Sequence, residues 1–306
     1  MKNYLQAVET IKTDASAGSE VDLSGQSEGF TVTGSGAIDK ITGSSGTDII
    51  NAGAGADIIT IGTAGHGNND TVDGGGGADV LQLSSGAHTF GTDNKLQAVE
   101  TVKTDSSGST VVLTGQTENL AITGGAGADI ITGGNAIDTI SGGGAADNIS
   151  GGAGNDIITG GAGNDIIAGG AGSDTINVDE GTDTITDLAT GDKLVVSENA
   201  IANATVAVSF AATSDTVNHA NNAVSKAVLS ADSDGAIINM ALASGVFTLT
   251  GGAGGDTLTG GSGVDIITGA SGADIITIGA AGHGNNDMVD GGGGADVLQL
   301  SSGAHT

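Results

Sequence analysis

The chain contains no cysteine, proline, tryptophan or arginine, and aromatic residues make up only 2% of it. Each absence removes a class of protein. Without cysteine there is no disulfide staple and no thiolate chemistry, although that says nothing against an extracellular location. Its 306 residues would be enough for two or three ordinary domains, but the bulky side chains that fill such cores are missing. Cationic groups are scarce: seven lysines face 36 acidic residues, for a net charge of −29. No basic patch exists for nucleic acid. No apolar run reaches the roughly 18 residues of a transmembrane helix. The opening MKNYLQAVETIK lacks the apolar core of a signal peptide.

What the chain has instead is glycine and aspartate. Gly supplies 58 of the 306 residues, against a usual share of about 7%. There is no Gly-X-Y period, which excludes collagen. Residues 124–187 read GGAGADIIT GGNAIDTIS GGGAADNIS GGAGNDIIT GGAGNDIIA GGAGSDTIN VDEGTDTIT. The period is nine residues, with Asp at 129, 138, 147, 156, 165, 174 and 183 and an Ile two positions after each. The same register gives Asp39, Asp48 and Asp57 upstream, then Asp70 and Asp79 after a four-residue insertion. Downstream it gives Asp256, Asp265 and Asp274, then Asp287 and Asp296 after the same insertion. A strict short period means a solenoid.

The unit GGxGxD-x-U-x explains itself. Glycines at its first, second and fourth positions allow backbone angles closed to other residues, so six residues make a tight turn. The last three form a short strand with U pointing inward. The residue before U varies among Lys40, Thr71, Asn148 and many Ile, as an outward position does. Two units make one 18-residue coil with a strand on each side, and coils stack at the parallel-sheet spacing of about 4.8 Å. The expected fold is all-β: a right-handed parallel β-roll or β-solenoid, plus a less regular insert containing a candidate short helix.

Such a core is one aliphatic layer per side. It gains less from burial than ordering nine backbone units costs. A bound cation supplies the difference. Of the acids, 29 are Asp and seven are Glu; short carboxylates at fixed turn positions suit a hard cation. Oxygen-only ligands point to Ca²⁺ over zinc or copper, and magnesium resists dehydration. The expected ligands of several Ca²⁺ ions are Asp39, Asp48, Asp57, Asp129, Asp138, Asp147, Asp156, Asp165, Asp174, Asp183, Asp256, Asp265 and Asp274. Units n and n+2 place their turns one above the other, as in Asp39/Asp57, Asp129/Asp147, Asp138/Asp156, Asp147/Asp165, Asp156/Asp174, Asp165/Asp183 and Asp256/Asp274. Ala37, Ala136 and Ala145 replace the fourth Gly, where left-handed geometry would strain them.

Taken in order, residues 1–33 form a solenoid-like β segment and 34–90 the first repeat block. Residues 91–123 repeat the opening segment: NYLQAVETIKTD at 3–14 returns as NKLQAVETVKTD at 94–105. LQAVETIK has some helix propensity, but the Val/Ile/Thr runs between polar turns favour strands. The main block is 124–196. Residues 197–250 form a non-repetitive insert, either a side lobe or part of the solenoid. Within it, 217–229 is the candidate helix, with Ser214 or Asp215 as cap. The third block is 251–306, and its residues 290–306 are identical to 73–89. The pattern at 306 would continue into that of the opening segment. Either the sequence is a window on a longer repetitive polypeptide, or its ends stack as successive coils do. Open strand edges invite end-to-end association.

These repeats resemble the repeats-in-toxin (RTX) family of secreted bacterial proteins, over 34–83, 124–187 and 251–300. The closing run TITDLATGDKLVV at 184–196 looks like the segment that ends many such arrays. The resemblance implies type I export, folding outside the cell in millimolar calcium, and a place in toxins, hydrolases, adhesins or surface layers. The family's C-terminal secretion signal is not evident here.

Catalytic chemistry is not visible. HExxH and a P-loop Gly-Lys-Ser/Thr are absent. His66 and His283 sit in the repeated insertion AGHGNND, as surface residues or as added ligands beside Asp70 and Asp287. His88 and His305 read as structural, and His219 stands alone. Phe210, Phe247 and Met240 read as core. Ile49, Ile58, Ile130, Ile157, Ile166, Ile266 and Ile275 precede U and face outward, and such rows favour lateral packing. The sequence thus points to a non-enzymatic, calcium-dependent structural protein of the cell surface, self-associating end to end or laterally into a layer, sheath or filament. Contact with cell-envelope polysaccharide is a further candidate. The alternative is an extender or calcium-folded module of a larger adhesin, toxin or hydrolase.

Overall fold

The computed structural model describes residues 8–14, 17–62, 69–198, 200–206, 208–219, 226–231, 235–278 and 286–301. Among them are 32 strands and no helix. The chain divides into two compact units, Met1–Asp156 and Ile157–Thr306.

The first unit is a parallel β-solenoid. One sheet runs Thr10–Lys12, Thr31–Ser35, Ile49–Gly53, Thr71–Asp73, Leu96–Gln97. A second runs from Glu20–Asp22 through Lys40–Thr42, Ile58–Ile61, Val80–Leu83, Thr101–Thr104 and Ala121–Thr123 to Thr139–Gly144. A third holds Gly86–Thr89, Ser109–Val112, Ile130–Thr132 and Asn148–Ala153. Pairing joins every second strand through most of the unit, and every third where Thr71–Asp73, Val80–Leu83 and Gly86–Thr89 pair with Leu96–Gln97, Thr101–Thr104 and Ser109–Val112; each coil leaves its sheet before it returns, which makes all pairs parallel. Ile122 lies against Ile140 and Ile131 against Ile149. Across the insertion Ile50 meets Val72 and Ile59 meets Leu81, so the register of the strands is intact. The U residues form the core column: Ile41, Ile59, Leu81, Val102, Ile122 and Ile140 are all buried. Val102 belongs to the second copy of the opening segment, so LQAVETVK builds strands, as its composition favours.

The second unit is built the same way. One sheet holds Ile157–Ala162, Thr175–Val178, Lys193–Val196 and Val217–Asn218. Another holds Ile166–Ala171, Thr182–Leu188, Ile201–Val206, Lys226–Ala231, Phe247–Thr250, Ile266–Thr268 and Met288–Asp290. The last holds Ser209–Ala211, Ile237–Asn239, Thr257–Thr259, Ile275–Ile278 and Val297–Leu300. All its pairs are parallel.

The candidate helix at 217–229 is corrected here. Val217–Asn218 and Lys226–Ala231 are strands, and residues 220–225 lie outside the described part. Lys226–Ala231 sits between Ile201–Val206 and Phe247–Thr250 and pairs with both. Two strand edges that need partners outweigh a weak helical preference. Ala227 and Leu229 turn inward on the period of two, with Phe210, Met240 and Phe247 buried in the same unit. The insert is therefore part of the solenoid.

Candidate metal sites in the repeat turns

Every aspartate expected as a ligand is buried. Asp39, Asp48, Asp57, Asp129, Asp138, Asp147, Asp156, Asp165, Asp174, Asp183, Asp256, Asp265 and Asp274 expose at most 2% of their surface. The first glycine of the unit makes room for them. A Cβ on Gly124 would lie 2.8 Å from Asp129 Oδ2 and 1.9 Å from the carbonyl oxygen of Gly142. In this turn the carboxylate thus fills the space a side chain would take, although Ala52 and Val178 hold the same position in the turns of Asp57 and Asp183.

One oxygen of each carboxylate has a fixed task. Oδ1 accepts the main-chain N–H of the aspartate one coil earlier on the same side. Asp39 donates to Asp57 at 2.7 Å, Asp129 to Asp147 at 2.8 Å and Asp138 to Asp156 at 2.8 Å. In the second unit Asp165 donates to Asp183 at 3.0 Å and Asp256 to Asp274 at 2.8 Å. The stacking expected for these five pairs is present, and it forms a ladder that satisfies amides otherwise buried unpaired. Five of the described carboxylates missing from the expected ligand set share it: Asp70 accepts from Asp48, Asp79 from Asp57, Asp192 from Asp174, Asp287 from Asp265 and Asp296 from Asp274. Glu100 then accepts from Asp79. Asp70 and Asp79 were readable from the nine-residue register. Glu100 was not, because its segment lacks the Gly-rich turn.

The second oxygen divides the turns into two classes. In the leading turn of each array on each side, Oδ2 accepts the N–H of its own turn's second residue. The pairs are Ser35 to Asp39 (2.6 Å), Ser44 to Asp48 (2.7 Å), Gly125 to Asp129 (2.9 Å), Gly134 to Asp138 (2.8 Å), Gly252 to Asp256 (2.9 Å) and Gly261 to Asp265 (2.7 Å). Oδ1 of these six accepts from Ser19, Phe30, Ser109, Leu120, Ala236 and Phe247, which belong to segments without the repeat. In turns of the nine-residue register stacked on an earlier repeat turn the situation differs, whereas Asp192, beyond that register, accepts the Ala189 N–H on Oδ2 at 2.8 Å. Oδ2 of Asp57, Asp70, Asp79, Asp183 and Asp274 is buried without any hydrogen-bond partner.

Backbone geometry produces the difference. In the leading turns the second residue keeps an ordinary φ, so its N–H points to the carboxylate. In the stacked turns 52–57, 74–79 and 269–274 it is left-handed: Gly53 has φ 103°, Gly75 93° and Ala270 75°. Its N–H is thereby turned off Oδ2. The third residue donates to the turn beneath, as Ala54 does to Ser35 O at 2.9 Å and Gly76 to Gly53 O at 2.8 Å. Turns 142–147, 151–156, 160–165 and 169–174 share this backbone through Gly143, Gly152, Gly161 and Gly170. Turn 178–183 has Asp179 in second place and keeps only the later left-handed Gly181. Of the three alanines at the fourth position, Ala145 is left-handed (φ 68°), whereas Ala37 and Ala136 stand in leading turns and avoid positive φ.

A buried carboxylate oxygen without a donor is costly as an anion. Burial, reinforced by the charges of Asp165 and Asp179, pushes Asp183 up to about 7. Burial, with the charge of Asp48, pushes Asp70 up to about 6. Asp57 and Asp79 are raised for the same first reason, burial. A divalent cation satisfies such an oxygen directly. Among the described residues no three His, Cys, Asp or Glu side chains converge. The remaining ligands would therefore be turn carbonyls, which suits Ca²⁺ and not a softer metal. The donor set fits the ion: Asp57, Asp70, Asp79, Asp183 and Asp274 would each present one free oxygen, and the ion would supply the positive charge that lets adjacent coils close.

His66 and His283 lie outside the described residues. His88 is buried, with Nε2 2.8 Å from the Ser84 carbonyl oxygen, and burial lowers its pKa. His219 is exposed. Among the described residues no helix is long and apolar enough to cross a membrane.

The sequence profile described as RTX calcium-binding nonapeptide repeat (4 copies) matches residues 31–62, 64–87, 123–158, 150–185, 248–276 and 281–304. These segments cover more than half of the chain. No curated protein matches it.

Proposed function

The chain belongs to the family of RTX calcium-binding nonapeptide-repeat proteins, and from that membership we propose that it is a calcium-folded structural protein of the bacterial cell surface that self-assembles into a layer, sheath or filament. The module is non-catalytic and binds calcium through its repeats. Folding coupled to the ion is compatible with secretion in an unfolded, calcium-free state and folding outside the cell.

One observation carries the assembly reading. Leu298 and Leu300 on the strand Val297–Leu300 are 52% and 53% exposed. Their counterparts in the identical segment of the first unit, Leu81 and Leu83, are 0% and 1% exposed. There the strand Thr101–Thr104 covers them, with Leu81 against Val102. The near copy of that covering strand is Thr10–Lys12, which among the described residues pairs on one side only. Laid on Val297–Leu300 of a second molecule, it would set Ile11 against Leu298 in the register of Val102 against Leu81. Outward Ile49, Ile130, Ile157 and Ile166, each 44–53% exposed, offer rows for lateral packing or for contact with an envelope polysaccharide.

The same edge supports the second reading. In a longer polypeptide the next coil would cover Leu298, and the chain would be an extender or calcium-folded module of a type I-secreted adhesin, toxin or hydrolase. Calcium titration followed by circular dichroism, light scattering and electron microscopy separates the two. Ordered sheets or fibres that appear after the β signal, and that L298D suppresses, support assembly. A chain that folds and stays monomeric at high concentration supports the module.

A further inference from the structure

We propose that the six leading aspartates, Asp39, Asp48, Asp129, Asp138, Asp256 and Asp265, are metal-independent turn caps, and that calcium ligation begins only with the aspartates of turns stacked on an earlier repeat turn. A GGxGxD motif would then be necessary for an ion site but not sufficient.

Each leading carboxylate already accepts two main-chain N–H groups: one from its own turn, four residues back, and one from the preceding non-repeat segment. Asp129 takes Gly125 on Oδ2 at 2.9 Å and Ser109 on Oδ1 at 2.6 Å. Asp265 takes Gly261 at 2.7 Å and Phe247 at 2.9 Å. Two short charge-assisted bonds are what an anionic cap needs, and an ion would have to displace one of them. Asp57, Asp183 and Asp274 accept one such bond and hold the other oxygen buried without a donor.

The cause lies one coil away. Asp79 closes the turn GGGGAD and Asp129 the turn GGAGAD, which differ at one position. Turn 74–79 rests on turn 52–57: a Cβ on Gly75 would lie 1.9 Å from Gly53 O, and one on Gly77 1.3 Å from Gly55 O. Turn 124–129 rests on the loop at 105–108: a Cβ on Gly125 would lie 1.7 Å from Asp105 O, and one on Gly127 2.3 Å from Gly108 N. Of these two turns, only the one on the first kind of neighbour has a left-handed second residue and a free Oδ2; Asp183 keeps its Oδ2 free with Asp179 in second place. The caps therefore give each array a finished, metal-free surface on which the first ion-binding coil is laid.

The test is an Asp→Asn series in the full chain, with bound calcium counted by mass spectrometry after equilibrium dialysis, at calcium levels where each variant reaches the parent's circular dichroism. D57N, D183N and D274N should each lose one ion per chain and shift the calcium midpoint of folding upward. D39N, D129N and D256N should keep the full count and lose thermal stability by the same amount at low and saturating calcium, because Asn Nδ2 cannot accept the turn amide. Loss of an ion from the leading variants equal to that from the stacked ones overturns the proposal. Should one leading variant fail to fold, D48N, D138N and D265N test the same class. Rescue of a leading variant by excess calcium alone would equally count against a structural cap.

Discussion

The main-chain N–H of Asp39 donates to Oδ1 of Asp57 at 2.7 Å, and the N–H of Asp57 donates in turn to Oδ1 of Asp79 at 2.7 Å. The repeat aspartate is therefore half a structural group. Its inner oxygen ties one coil to the last, whether or not an ion is present.

Two variants at one position separate these roles. D57N keeps an acceptor for the Asp39 amide and loses the charge, while D57A loses both. D57A should be less stable than D57N by about 1–3 kcal/mol, the cost of a buried amide left without a partner. Chemical denaturation in saturating calcium measures the gap, and equal stabilities would show that the ladder contributes nothing.

Ala145 occupies a left-handed position with φ 68°. An L-residue there costs roughly 1–2 kcal/mol. A145G should raise stability by about 1 kcal/mol, whereas A37G, at a position without positive φ, should lower it slightly through chain entropy. Thermal unfolding of both decides the point; a matched gain in A37G would mean the strain is not the cause.

Metal-free chain should fold better in acid. Burial raises Asp183 to about 7 and Asp70 to about 6 in the folded state, against 3.8 for a free side chain. The folded form therefore binds more protons. That stabilisation is complete near pH 4 and is lost as pH rises through 6 and 7. In chelator, β-type circular dichroism should grow as pH falls from 8 to about 5, and calcium should abolish the dependence. A signal that weakens on acidification would contradict it.

His88 carries the opposite sign. Burial lowers its pKa below 6.5, while the Ser84 carbonyl and Asp105 pull it back up. Stability is complete above about pH 6.5 and declines as pH falls toward the folded value, because only the unfolded chain then takes a proton. In saturating calcium, H88L should flatten the fall in melting temperature between pH 7 and 5. An unchanged slope would place the acid sensitivity elsewhere.

Much of the fold was legible because the repeat is strict. The nine-residue period marked Ile41, Ile59 and Leu81 as one buried column and left Ile49 and Ile130 outward. The insert at 197–250 was less legible: its composition suggested a helix, and only the flanking strands at Ile201–Val206 and Phe247–Thr250 turned Lys226–Ala231 into a strand.

The sequence by itself determined that this chain winds into parallel coils with one aspartate per turn, because side-chain alternation and glycine placement are local properties. Which aspartates keep an oxygen free was decided by tertiary structure alone. The nearly identical turns at Asp79 and Asp129 differ in that respect because the backbone beneath them differs. That neighbour lies a whole coil earlier in the chain, where the nine-residue unit carries no record of it.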